Sequence, residues 1–342
     1  MAVTIKDVAK ECKLALSTIS KYMNGGNVKA GNKEKIEAAI QKLGYQPNNL
    51  AKGLKNSRTY TIGLSVDSLK NQYIGKLVEK IEQLLKAEGY TLYISCHKDT
   101  PEGVSRSLQF LEDKQVDGII LVPVGQQADF PKSIYEKKLP LVTMDRSFNA
   151  GSFDCITSNS ATGMYLGTEY LIQQGHKKIA ILSGTKKGCA SYLSGKERLN
   201  GYLRAMEDYQ LDCPSHYILE GDYSFESGYK HMEQLWSSPT PPTAIIISNY
   251  NMCLGAITAI HNLGISIPKD LSIVTFDDLE FSLISSPRLT AIRQPADDIA
   301  RETVNLILQR INGGYSDFPK NIKLPTQFII RESVEKPQLS MT

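Results

Sequence analysis

Several polar and aromatic side chains stand where strand-like apolar runs stop, the position at which open α/β sheets present ligand-binding groups. Asn71 and Tyr73 follow the run that starts at Thr61, and Asp145 and Arg146 follow the run that ends at Met144. Asn249 and Asp277 close two later runs, and Arg198 lies near the start of a helical stretch. Tyr223 and Phe276 add aromatic faces. Carboxylate, guanidinium and amide groups accept from and donate to neighbouring hydroxyls, while a ring covers a C–H face; together they suit a polyol. Two plainer readings stand beside this one: Asp277 and Arg146 can pair as a bridge that closes two lobes, and Phe276 can belong to a core. Lys70, Lys186, Lys187 and Lys196 leave room for an acidic or phosphorylated sugar.

Catalytic signatures are missing from the sequence. There is no GxGxxG after a strand, no P-loop, no GxSxG elbow and no HExxH, and the stretch from Gly184 to Gly188 lacks P-loop spacing. Five histidines are dispersed, and no motif joins Asp277 and Asp278 to a third metal ligand. Six cysteines without a C-x-x-C pair suggest neither a disulfide framework nor a zinc site. No enzyme activity, metal or cofactor is expected. The N-terminus lacks the apolar segment of a signal peptide and no apolar run is long enough to cross a bilayer, so the expected location is cytoplasmic, away from membranes.

Charge divides the chain. Residues 1–60 hold eleven Lys and Arg against four acids, +7 of a total of +3, which leaves −4 on the rest. A basic module joined to a mildly acidic body suits a polyanion bound at one end. Within the basic part, Ile5, Val8 and Ala9 share one helical face, and Ile19, Tyr22 and Met23 share another after a break at 13–15. The exposed side of the second helix presents Leu16, Ser17, Ser20 and Lys21, groups able to meet base edges and phosphates in a major groove. A third helix from about Lys33 carries Ile36, Ala39, Ile40 and Leu43 and stops at Gly44, closing a three-helix core around a helix-turn-helix.

The strings TIKDVAK from Thr4, STIS from Ser17, MNG from Met23 and LGYQPN from Leu43 closely resemble the start of the lactose-repressor (LacI/GalR) family. The resemblance implies a sequence-specific DNA-binding regulator, usually a repressor of carbohydrate-utilisation genes, working as a homodimer on palindromic operator DNA. A small-molecule effector, a sugar or sugar derivative, then sets operator affinity allosterically. Control by a protein co-effector is the alternative. The implied DNA contacts are Thr4, Leu16, Ser17, Thr18, Ser20, Lys21, Asn24, Asn49, Ala51 and Leu54, with Leu54 as the minor-groove wedge of a hinge helix. By the same resemblance Arg198, Asn249 and Asp277 hold effector and Tyr223 stacks on it. Three departures stand out. Ala15 replaces the usual capping hydroxyl of the recognition helix, Ser158 replaces the aspartate of an Asp-Asn pair, and Tyr250 replaces the aspartate of another.

From Tyr60 onward, apolar runs alternate with amphipathic stretches, the signature of doubly wound parallel sheets. Strands are expected near 61–66, 91–96, 118–123 and 139–144, with helices near 74–88 and 102–114 between them. A second series of strands is expected near 179–183, 217–220, 244–248 and 271–276. Helices near 161–174, 196–209, 224–236 and 253–263 separate these, and helix 296–312 returns to the first lobe. The predicted organisation is a helix-turn-helix domain at 1–46 and a hinge helix and linker at 47–59. A two-lobed, periplasmic-binding-protein-like effector and dimerisation domain follows at 60–334, with a tail at 335–342.

Overall fold

The computed structural model describes residues 3–23, 26–45, 58–124, 129–146, 152–186 and 192–337. Two compact units divide at Tyr60 and Thr61.

The first unit is three helices, α1 (Ile5–Cys12), α2 (Leu16–Met23) and α3 (Ala30–Leu43). Asp7 holds the start of α1 by accepting from the Thr4 backbone N–H at 2.8 Å and the Thr4 hydroxyl at 2.7 Å. Lys13, at φ 53°, turns the chain out of α1. Val8, Ile19 and Ile36 are completely buried, with Ala9, Cys12 and Ala39 around them and Ile5, Tyr22, Met23, Ile40 and Leu43 at the margin. All of these except Cys12 are positions that helical spacing selects. α3 begins three residues before the sequence suggests and ends at Gly44, whose φ of +60° suits glycine. Because Ile19 is the buried residue of α2, Ile19→Ala should destabilise this unit by about 2–4 kcal/mol. Urea unfolding should show that loss in the first unit while the second unfolds as before.

The second unit holds two six-stranded sheets. The first sheet has the order β11 (Asn321–Leu324), β5 (Asp154–Ser158), β4 (Leu141–Met144), β3 (Gly118–Leu121), β1 (Thr61–Val66), β2 (Thr91–Cys96), parallel throughout. The second has the order β12 (Gln327–Ile329), β10 (Thr290–Arg293), β9 (Ser272–Phe276), β8 (Ala244–Ile247), β6 (Ile179–Ser183), β7 (Ile218–Glu220), with only β12 antiparallel. Helices cover both faces, so β1, β3, β4, β6, β8 and β9 are buried nearly end to end and read as unbroken apolar runs. β5, β10, β11 and β12 are short and mixed in character, and apolar patterning alone does not find them.

The chain passes between the lobes three times: after β5, after β10, and between β11 and β12. Helices α4 (Gln72–Ala87), α5 (Pro101–Asp113) and α6 (Lys132–Tyr135) belong to the first lobe, and α7 (Ser160–Gln173), α8 (Tyr192–Asp208), α9 (Phe225–Trp236), α10 (Tyr250–Asn262) and the short α11 (Glu280–Ile284) to the second. Helix α12 (Ala296–Ile311) returns to the first lobe, where Ile299, Val304 and Ile307 join its core. Residues of the second lobe enter that core too: Tyr250 and Leu279 are buried in it. Lys76 of α4 meets Glu280 across the lobes at 2.9 Å, and Lys323 of β11 meets Glu197 of α8 at 3.3 Å.

Candidate functional site

The DNA-facing candidates of the first unit sit on its surface. Leu16, Ser17 and Lys21 are exposed along α2, Thr18 and Ser20 are half-buried beside them, and exposed Thr4 caps α1. An apolar side chain left 43% exposed at the head of α2, as Leu16 is, costs nothing in a groove where it can meet a thymine methyl. Asn24, Asn49, Ala51 and Leu54 lie outside the described residues, as does the hinge segment from 47 to 57.

The second candidate site is the cleft between the lobes. Tyr73 leads α4, whose N-cap is Asn71: the Asn71 Oδ1 accepts from the Tyr73 backbone N–H at 3.0 Å. Tyr73 is buried, and its hydroxyl has no hydrogen-bond partner. Burial, then Asp145 and Asp277, push its phenol well above the usual value. Asp145 follows β4 in a left-handed conformation, φ 68°, with Oδ1 unpartnered. Burial raises its carboxyl to about 6 against the pull of Arg146 and Arg198.

Arg198, on α8, is buried with its guanidinium carbon 3.7 Å from the centroid of Phe276. Its Nη1 donates to the Ser248 carbonyl at 2.5 Å and to the Tyr223 hydroxyl at 3.4 Å, while Nε is unpartnered. Asp277 follows β9 at φ 78°, and its Oδ1 accepts from Gln294 Nε2 at 2.7 Å. Burial raises this carboxyl too, opposed first by Arg198. Unpartnered polar atoms of Tyr73, Asp145 and Arg198 thus share one charged neighbourhood with Asp277. Buried polar groups left without partners are costly unless something else satisfies them. A cavity of about 410 Å³ opens against Tyr73, Lys76, Asp277, Arg293 and Gln294, and neither Asp145 nor Arg198 lines it.

Several predicted contacts serve the site indirectly. Asn249 caps α10, with Oδ1 accepting from the Met252 backbone N–H at 2.9 Å and Nδ2 donating to the Tyr223 carbonyl at 3.3 Å. Tyr223 is half-buried at φ 65°, its ring lying against Gly184, where an added Cβ would stand 1.9 Å from ring carbon Cε1. Phe276 is fully buried in the second-lobe core beneath Arg198, so it supports the guanidinium and offers no open face. Arg146 is committed to its own lobe: Nη2 donates to Asp67 at 2.6 Å, Nη1 to Asp99 at 2.9 Å, and Nε is 3.7 Å from Asp145. The expected alternative, a bridge from Arg146 to Asp277, does not form, since Arg146 pairs with Asp67 and Asp99 and Asp277 with Gln294. Of the lysines noted near the cleft, Lys186 pairs with Asp222 at 3.5 Å, Lys70 is exposed, and Lys187 lies outside the described residues.

Two residues that strand-end reasoning overlooked, Gln294 and Ser158, stand behind Asp277. The Ser158 hydroxyl donates to Gln294 Oε1 at 2.6 Å. Ser158 therefore faces the lobe crossover, and Tyr250 is buried in the first-lobe core. The departures from the family's aspartates thus bear on how the lobes are joined.

A three-helix unit with an exposed recognition helix, followed in the chain by two doubly wound lobes around a polar cleft, defines a DNA-binding regulator with a periplasmic-binding-protein-like body. Residues 4–48 match the lacI family of bacterial regulatory proteins, and residues 168–334 match a periplasmic binding protein-like domain. The HTH-type transcriptional repressor PurR of Haemophilus influenzae is 33% identical over 337 residues, covering 97% of this chain and 98% of that one. The ribose operon repressor of the same organism is 34% identical over 334 residues, with the same coverage. Among solved structures, a lac repressor dimer bound to operator and the anti-inducer ONPF superposes with a TM-score of 0.81 at 27% identity, covering 98% of this chain and all of that one. The chain belongs to the LacI family and is a DNA-binding transcriptional repressor. Its relatives are repressors and not enzymes, in line with the lack of catalytic motifs.

Proposed function

We propose that this repressor acts in the cytoplasm as a homodimer on a palindromic operator of carbohydrate-utilisation genes, and that a neutral sugar or sugar derivative in the inter-lobe cleft sets its operator affinity. The observation that carries the effector assignment is the group of unpartnered atoms on Tyr73, Asp145 and Arg198 beside Asp277. The two carboxylates of Asp145 and Asp277, with Arg146 already balanced by Asp67 and Asp99, favour hydroxyl donors over an anion. The lac repressor dimer on operator supports the assembly, and so do exposed apolar side chains: Tyr93 and Ile94 on β2, and Leu283 and Ile284 at the other lobe. Effector binding changes the angle between the lobes, and the dimer passes that change to the two DNA-binding units. By linkage, operator alters effector affinity by the same factor.

Thermal-shift and calorimetric titration with neutral pentoses, hexoses and disaccharides, their phosphates, sugar acids and nucleobases tests the assignment. A neutral sugar should bind and stabilise the chain, by about 2.7 kcal/mol at a hundred times its Kd, and Arg198→Met should abolish the effect. Binding by phosphates or nucleobases alone would contradict it.

A further inference from the structure

Ser158, Gln294 and Asp277 are all buried and belong to three different parts of the fold. Ser158 ends β5 at the first crossover, Gln294 follows β10 at the second, and Asp277 follows β9 beside the cleft. The hydroxyl of Ser158 donates to Gln294 Oε1 at 2.6 Å, and Gln294 Nε2 donates to Asp277 Oδ1 at 2.7 Å. Next to Ser158, the Asn159 backbone N–H donates to the Leu324 carbonyl at 2.7 Å, which ties the first crossover to the third. Chemistry fixes the direction of the amide. An ionised carboxylate only accepts, so the NH2 end of Gln294 must face Asp277, and the carbonyl end then needs a donor, which the serine supplies. An aspartate at 158, the residue the family resemblance leads one to expect, would compete for that NH2 group and turn the Gln294 oxygen against Asp277.

We infer that Ser158 and Gln294 form a positioning relay that links the cleft carboxylate of Asp277 to the lobe crossovers, so that a hydroxyl bound at Asp277 is felt where the lobes hinge. The functional half of this inference rests on the effector role proposed for Asp277, but the relay itself is testable without ligand. Charged and titratable neighbours of Asp277 are Arg198 of α8, Tyr73 of α4, Asp145 after β4 and Cys253 of α10, and the Tyr250 backbone N–H also supports it. None of them changes in the variants below.

The full chain, labelled with carboxyl-13C aspartate, reports the titration of Asp277, whose resonance is assigned by its loss in Asp277→Asn. Ser158→Ala and Gln294→Leu should each raise the midpoint, Gln294→Leu by about one pH unit, because the donor that favours the ionised form is misdirected or removed. The double variant should move no further than Gln294→Leu alone. Ser158→Thr, which keeps the hydroxyl, should restore the original midpoint, which a purely steric role for Ser158 would not predict. A midpoint indifferent to Ser158→Ala, or shifts that add in the double variant, would overturn the relay. A relay seen in this titration without any sugar bound in the screen above would sink the sugar reading alone, and a bound sugar with additive shifts would sink the relay alone.

Discussion

Replacing Arg310 with Met is expected to destabilise the two-lobed unit by about 3–5 kcal/mol. Arg310 lies on α12 with its side chain 1% exposed, against an Asp154 side chain that is completely buried. Two bonds join them, Nε to Oδ2 at 2.7 Å and Nη2 to Oδ1 at 2.9 Å, and Nη1 reaches Asp317 at 2.6 Å and the Gly314 carbonyl. The Lys320 backbone N–H also donates to Asp154. Removing the guanidinium leaves a carboxylate at the start of β5 without its counter-charge, in a place water does not reach. Hydrophobic replacement of both partners, Arg310→Met with Asp154→Leu, should recover much of the loss, since the isolated charge is the larger cost. Urea unfolding of the single and double variants measures this. A loss under 1 kcal/mol in the single variant would show that α12 is held to the sheet by its apolar face alone.

Asp145→Asn is expected to act in the opposite direction. In the folded chain this carboxyl sits at about 6, against an ordinary 3.8, so folding favours its protonated form. Its stabilising contribution is complete below about pH 4 and is lost as pH rises through 6. At neutral pH the folded protein carries a buried, ionised group at a cost on the order of 2 to 3 kcal/mol. The amide variant should therefore melt higher than the parent at pH 7.5, and the difference should vanish near pH 4. It should also bind effector poorly, because one acceptor beside Arg198 becomes a donor. Groups held at such a cost are common where they serve a ligand. A variant that melts lower at pH 7.5 would mean that Asp145 serves mainly to balance Arg146.

Most of the architecture is legible in the sequence because the physics that builds it is local. Val8, Ile19 and Ile36 are selected by helical spacing alone, and strands with both faces covered announce themselves as apolar runs. β5 and β10 escape detection because each is short and carries polar residues at its ends, where the chain leaves one lobe for the other. The cleft follows the same division. Tyr73, Asn249 and Asp277 stand just beyond strands, where strand-end reasoning looks for ligand-binding groups, while Arg198 lies seven residues into α8. Arg146 and Phe276 occupy equally suggestive places, yet their roles are settled by distant partners. Asp67 lies 79 positions before Arg146, and Arg198 covers Phe276 from helix α8. Gln294 and Ser158 are 136 positions apart and form a pair only once two crossovers run side by side. No spacing rule reaches that far.

On the proposed function, a sugar in the cleft controls the grip of the recognition helices on operator DNA. Fluorescence anisotropy tests it most directly, using a palindromic duplex selected from a random pool by the purified chain and titrated with and without the sugar that binds best. The prediction is specific binding whose affinity moves at least several-fold with the sugar, and an Asp277→Ala chain that binds the duplex as before and no longer responds. Unchanged affinity at saturating sugar, or an equal response in Asp277→Ala, would contradict the account.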